Sequence, residues 1–208
     1  MATVAIVTCG PQLEVALRGA GQELPSLVRL AGVSPRSRLL LAAVELLVED
    51  AGVERSAIER VVVSRGPGSF TGIRAGLASS EGLAAAIGVE ITAYDSLLAQ
   101  AARCDEPAEL WAAQPGRRGE LYARQYRLAA GSAPEEVGEI EIVAVAETAG
   151  RGPWVAMHSL DLGSAERVAP PRAAAEALLH LVELGTPGQP IEPLYVEGPP
   201  IHQRAKDG

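Results

Sequence analysis

A chain of 208 residues that is 48% hydrophobic can bury a real core, in one domain or two small ones. Its formal net charge is -8, and its basic pairs, Arg36/Arg38, Arg117/Arg118 and Arg204/Lys206, are too short to form an extended nucleic-acid footprint. Cys9 and Cys104 stand far apart without a CxxC spacing, which supports neither a disulfide framework nor a zinc site and fits a reducing cytoplasm.

Residues 3–8 (TVAIVT) are a short apolar run. After a turn at Gly10-Pro11, residues 12–18 alternate as a half-buried strand does, and a third strand falls within 22–30, giving an antiparallel start. Ser34-Pro35 reads as a helix cap followed by a first-turn proline. The helix it opens carries Leu40, Val44, Leu47, Val48 and Ala51 at helical spacing and stops at Gly52. Leu39 and Leu41 widen that apolar stripe, so this helix is expected to be buried on more than one side. Residues 58–63 form a buried strand, 69–87 a helix ended by Gly88, and 89–94 a further strand. This strand–helix–strand order predicts a parallel pair. A short helix, 95–103, follows.

Composition shifts at Cys104-Asp105-Glu106-Pro107, which divides the chain into residues 1–103 and a smaller α+β unit, 104–208, with a flexible proline- and glycine-rich tail. Strands are expected near 109–113, 120–128, 138–145 and 153–157, and a helix at 172–184. The start, MATVAIVTCGPQ, lacks the basic opening and long apolar region of a signal peptide. No run of about 20 apolar residues could span a bilayer, so a cytoplasmic protein is expected.

The stretch SRGPGSFTGIRAGLASSEGLAAAIG carries the sharpest signal. A glycine loop that opens a helix can present unpaired N–H groups to an anion, which makes Arg65, Gly66, Gly68 and Ser69 candidates for an anion or nucleotide loop; a tight turn with a Ser69 cap is the plainer reading. The Walker lysine and hydroxyl are missing after Gly72, and the glycines follow GxGxxxG, not the dinucleotide spacing. In the helix, Gly72, Gly76 and Ser80 fall four apart, as do Ala75 and Ser79, and Ala78, Gly82 and Ala86. Each internal glycine costs roughly 1 kcal/mol against alanine. Something must therefore pack directly on this surface, either the chain's own sheet and first helix or another subunit.

These residues, RGPGSFTGIRAGLASSEGLAAAIGV after a valine strand and a helix ending LLVEDAGV, resemble the TsaB (YeaZ) family, the partner subunit in threonylcarbamoyladenosine synthesis on bacterial tRNA. The likeness covers the first hundred or so residues. It returns at Arg117-Arg118-Gly119-Glu120-Leu121-Tyr122 and at Pro193-Leu194-Tyr195-Val196. It implies an α/β actin-like (ASKHA) fold: two ribonuclease-H-like subdomains with mixed sheets flanked by helices, the second reduced. It further implies a homodimer when alone and a heterodimer with TsaD, joined by TsaE, the ATPase, and tRNA engaged only indirectly. Family members pair through their first two long helices, which would put Leu40, Val44, Leu47, Gly72, Ala75, Gly76, Ser79 and Ser80 at the partner interface.

The chain departs from the family where chemistry would be done. Val7-Thr8-Cys9 stands where TsaB chains commonly have Asp-Thr-Ser, and valine cannot coordinate a cation. Ser96 and Gln100 stand where catalytic TsaD relatives have two metal-binding histidines, and Pro115-Gly116 replaces the usual Asp-Ala before the Arg-Arg-Gly turn. His158, His180 and His202 are scattered and read as surface or capping residues. No metal, cofactor or catalytic residue is therefore expected, and the expected function is that of a dimerising, activating subunit. The alternative is an ATP-dependent phosphotransferase or metallopeptidase-like enzyme of the same superfamily, with Glu14, Asp95 and Glu120 as unplaced acids.

Overall fold

The computed structural model describes residues 2–31, 37–106 and 108–197; the helix start read at Ser34-Pro35 lies outside them, as do Arg36, His202, Arg204 and Lys206. At the centre of the first sheet is β1 (Ala2–Val7), which pairs antiparallel with β2 (Gln12–Gly19) and parallel with β4 (Ile58–Ser64). Outside these lie β3 (Ser26–Ala31), antiparallel to β2, and β5 (Glu90–Tyr94), parallel to β4, in the order β3-β2-β1-β4-β5. The crossover from β4 to β5 runs through α2 (Phe70–Ile87), as the predicted parallel pairing requires.

Alternation along the central strands splits the core into two layers. Val4, Ile6, Val61 and Val63 pack with Leu40, Val44 and Leu47 of α1 (Ser37–Asp50) and with Ile73 and Leu77 of α2. Ala5, Val7 and Val62 pack with α3 (Ser96–Ala101) and α4 (Ala174–Glu183) through Leu97, Leu98, Leu178 and Leu181. A strand covered on both faces has no polar side, which is why residues 3–8 read as an unbroken apolar run.

The second sheet has the order β8-β7-β6-β9. Here β6 (Glu109–Pro115), β7 (Glu120–Arg127) and β8 (Glu135–Ala144) are antiparallel, and β9 (Trp154–Val155) is parallel to β6. All six residues of α3 are buried, with Leu110, Ala112 and Tyr126 of the second sheet in the same core as α3 and the first sheet. Although α4 comes late in the chain, it packs back on β1 and β2.

One expectation about α1 is corrected. Its inner face is in the core, but Leu41 and Leu46 are 52% and 54% exposed, so within this chain the helix is covered on one side only. Among the described residues no helix is long and apolar enough to cross a membrane.

Candidate functional site

The glycine loop between β4 and α2 is held by the chain's own groups. Gly66 and Gly68 have φ of 108° and 144°, a region that favours glycine, and the Gly66-Pro67 peptide is cis. A Cβ at Gly68 would collide with the Cys9 carbonyl, and one at Gly66 with the Leu194 carbonyl and Ile73. The Ser69 N–H donates to Cys9 O (2.8 Å), and Ser96 N–H donates to Gly66 O (2.7 Å). Of the candidate anion groups, the Arg65 guanidinium donates to the carbonyls of Pro190 (3.1 Å) and Glu192 (3.3 Å). The Ser69 hydroxyl accepts from Gly72 N–H (3.2 Å), which makes it the cap of α2. These polar groups close the loop onto neighbouring segments and do not converge on one point.

At the end of β1, Val7, Thr8 and Cys9 are all buried. Thr8 Oγ1 donates to Gly72 O (2.8 Å), and the Cys9 thiol lies 3.1 Å from Ser64 Oγ and 3.3 Å from Ser64 O. Burial pushes the Cys9 thiol up to about 11, so it stays neutral at physiological pH. On α3, Ser96 and Gln100 are likewise buried, with the Gln100 side-chain oxygen accepting from Arg103 (2.7 Å).

The unplaced acids do not meet. Glu14 is buried; one oxygen pairs with Arg29 (2.8 Å), and the other accepts from Ala174 N–H (2.8 Å) and Ala175 N–H (3.2 Å) at the start of α4. It is a helix cap supplied from another element. Asp95 caps α3 by accepting from Leu97 N–H (2.7 Å) and faces Arg124 across the sheets at 3.7 Å. Burial raises its carboxyl to about 6. Glu120 begins β7, on the other sheet. His158 is exposed, and His180 lies 3.6 Å from Glu183 on α4. Among the described residues no group of three or more His, Cys, Asp or Glu comes together as metal ligands would.

The helix pair carries the remaining candidates, and five of the eight point inward. Leu40, Val44 and Leu47 are core residues, and Gly76 and Ser80 are buried. Gly72 and Gly76 let α2 press against the end of β1: a Cβ on Gly72 would strike Thr8 O, and one on Gly76 would strike Thr8 Oγ1. Only Gly72, Ala75 and Ser79 are half-buried. The residues left to solvent are different ones: Leu41, Ala42 and Leu46 on α1, and Ala78, Gly82 and Ala85 on α2. Among the described residues, nothing beyond the backbone of α2 itself lies within 4 Å of where a Cβ on Gly82 would be. A groove of about 200 Å³ is lined by Leu41, Val44 and Val48 of α1, by Ile58, and by Leu83 and Ile87 of α2, with the Arg55–Glu45 ion pair (2.8 Å) at its rim. The sequence reading missed Leu46. Its one signal was a leucine set on the far side of the helix from Leu40, Val44 and Leu47.

A model of the family TsaD, tRNA N6-adenosine threonylcarbamoyltransferase, matches residues 32–182. Among solved structures, YeaZ from Pseudomonas aeruginosa is similar with a TM-score of 0.74 and 25% sequence identity, over 94% of this chain and 99% of that one. An uncharacterized protein with similarity to peptidase YEAZ, from the same organism, gives 0.71 and 24% over the same shares. No curated protein matches the chain.

Proposed function

This chain belongs to the family of TsaD, tRNA N6-adenosine threonylcarbamoyltransferase, with the fold of YeaZ, and we propose that it is a non-catalytic, TsaB-type subunit of that system. It binds a TsaD-type catalytic subunit and, with it, a TsaE-type ATPase, for threonylcarbamoyl transfer to adenosine 37 of tRNA. It pairs with itself when alone, works in the cytoplasm and meets tRNA only through its partners.

The observation that carries this reading is the outer face of α1 and α2. Leu41 and Leu46 on α1 are more than half exposed, and Ala78, Gly82 and Ala85 on α2 are exposed as well. Covering a leucine is worth roughly 1.5–3 kcal/mol. A glycine inside a helix costs roughly 1 kcal/mol against alanine. Gly72 and Gly76 offset that cost through close contact with Thr8 at the end of β1, whereas a Cβ on Gly82 would meet nothing among the described residues. A partner helix lying close to the α2 backbone accounts for it. The interface is thus assigned to the outward residues of the two helices, with Ala75 and Ser79 at its edge, and no longer to Leu40, Val44, Leu47, Gly76 and Ser80.

The end of β1 supports a non-catalytic role. Buried Val7 stands where the resemblance expects an aspartate, and Cys9 beside it is neutral and enclosed, so neither offers an anion to a cation or a nucleophile to a substrate.

The test is size-exclusion chromatography with a purified TsaD-type subunit. The wild-type chain should co-elute with it, and Gly82→Leu and Leu46→Glu should elute alone as folded proteins. Co-elution of both variants would remove this assignment. ATP turnover by the isolated wild-type chain would overturn the non-catalytic reading.

A further inference from the structure

The chain contains a single phenylalanine, and Phe70 is 39% exposed at the head of α2. Tyr195, also 39% exposed, stacks on it with ring centroids 5.1 Å apart, and the Arg74 guanidinium lies 5.2 Å from the Phe70 centroid. In a protein with so few aromatics, this exposed cluster gathers Arg, Phe and Tyr, residue types enriched at protein contacts.

The cluster borders a cleft of about 340 Å³ whose far wall is the β6–β7 turn, with Gly116, Arg117 and Tyr122. Among the described residues Glu197 is the one carboxylate lining the cleft, and it is engaged by Arg117 (3.0 Å) and by the Tyr122 hydroxyl (3.0 Å). Among the described residues neither Arg74 nor Arg118, next along the turn, has a carboxylate partner, and both are exposed. In a protein of net charge -8, these two arginines without a carboxylate partner, Arg74 beside Phe70 and Arg118 beside Arg117 in sequence, flank residues that line the cleft.

We propose that the Phe70–Tyr195 cluster and its cleft, edged by Arg74, Arg117 and Arg118, form a second protein-docking surface that takes an acidic segment carrying an apolar side chain. The apolar side chain would cover the rings, and its flanking carboxylates would meet Arg74 and Arg118 in charge-assisted hydrogen bonds. An RNA strand would offer phosphates to the same arginines, but its longer run of charge would also meet the acidic remainder of the surface, whereas a short peptide need not. The surface does not depend on the TsaD-type pairing proposed above; failure of that pairing would leave it standing.

Fluorescence anisotropy with the full chain tests it, using a short labelled peptide of glutamates and leucines, the same peptide with lysines for glutamates, and an oligouridylate. The acidic peptide should bind most tightly. Phe70→Ala and Arg74→Glu should each weaken it about tenfold or more, and Leu24→Ala, an exposed leucine between β2 and β3, should leave it unchanged. Because Phe70 packs on Tyr195, Arg118→Glu on the exposed turn gives a second variant with no packing contact to lose, and it should also weaken binding. Absence of acidic-peptide binding, equal binding of the lysine peptide, tighter binding of the oligouridylate, or undiminished affinity in Arg74→Glu and Arg118→Glu would each overturn the proposal.

Discussion

Gly76 of α2 lies so close to Thr8 at the end of β1 that a Cβ on the glycine would strike the threonine hydroxyl. Thr8 cannot simply turn away, because that hydroxyl donates to Gly72 O at 2.8 Å. The small residues of α2 therefore do two jobs on two sides of one helix. Gly72 and Gly76 seat it on its own sheet, while Ala78, Gly82 and Ala85 face outward.

Gly76→Ala should destabilise the fold by about 1–3 kcal/mol, the usual range for overpacking a tight contact. Gly82→Ala, in open space on the same helix, should stabilise it by about 0.4–1 kcal/mol. Urea denaturation of the two variants checks the pair. Equal effects would mean that α2 does not sit against Thr8.

Removing the Glu14 carboxylate should loosen α4. Glu14→Leu leaves the buried Ala174 and Ala175 N–H groups without their acceptor, at about 1–3 kcal/mol for each. Amide hydrogen exchange should quicken first at the start of α4. Glu14→Gln keeps an oxygen for those groups and should cost less.

Stability should depend on pH through Asp95. Its folded carboxyl, raised to about 6 chiefly by burial, lies above the ordinary aspartate value of 3.8, so the folded protein holds that proton more tightly than the unfolded chain. The contribution is present in full below about pH 4 and is lost as pH rises through about 6, with an amplitude of roughly 3 kcal/mol. Arg124 at 3.7 Å pulls the carboxyl the other way, but Glu136, 2.7 Å from Arg124, competes for the same cation. Urea midpoints measured from pH 4 to 8 should show the wild type losing stability relative to Asp95→Asn as pH rises. A constant gap would refute the shift.

Thiol reactivity should separate the two cysteines. Cys9 is buried and its thiol is pushed up to about 11, whereas Cys104 is half-buried, also raised by burial but open to solvent. With a disulfide reagent at pH 8, Cys104 should be modified slowly and Cys9 only after unfolding. Mass spectrometry of peptides from the native protein reads the result directly.

The order of strands and helices was legible in the residues themselves, because alternation, helical spacing and the glycine and serine stops act over a few neighbours. Even the parallel pairing of β4 and β5 followed from the strand–helix–strand order alone. The motif around Gly66 and Gly68 was legible as well, since only glycine fits where the backbone passes so close to Leu194 and Cys9. What periodicity could not say was which side of α2 faces inward. A helix small on nearly every side gives no bulky stripe to mark its buried face, so contact with Thr8 decided it. The same limit hid the exposure of Leu41 and Leu46, because an apolar residue reads alike whether its own chain covers it or leaves it bare. Glu14 capping α4 and Tyr195 covering Phe70 join residues more than a hundred positions apart. Such meetings depend on where the sheets bring distant segments together, and only the tertiary structure fixes that.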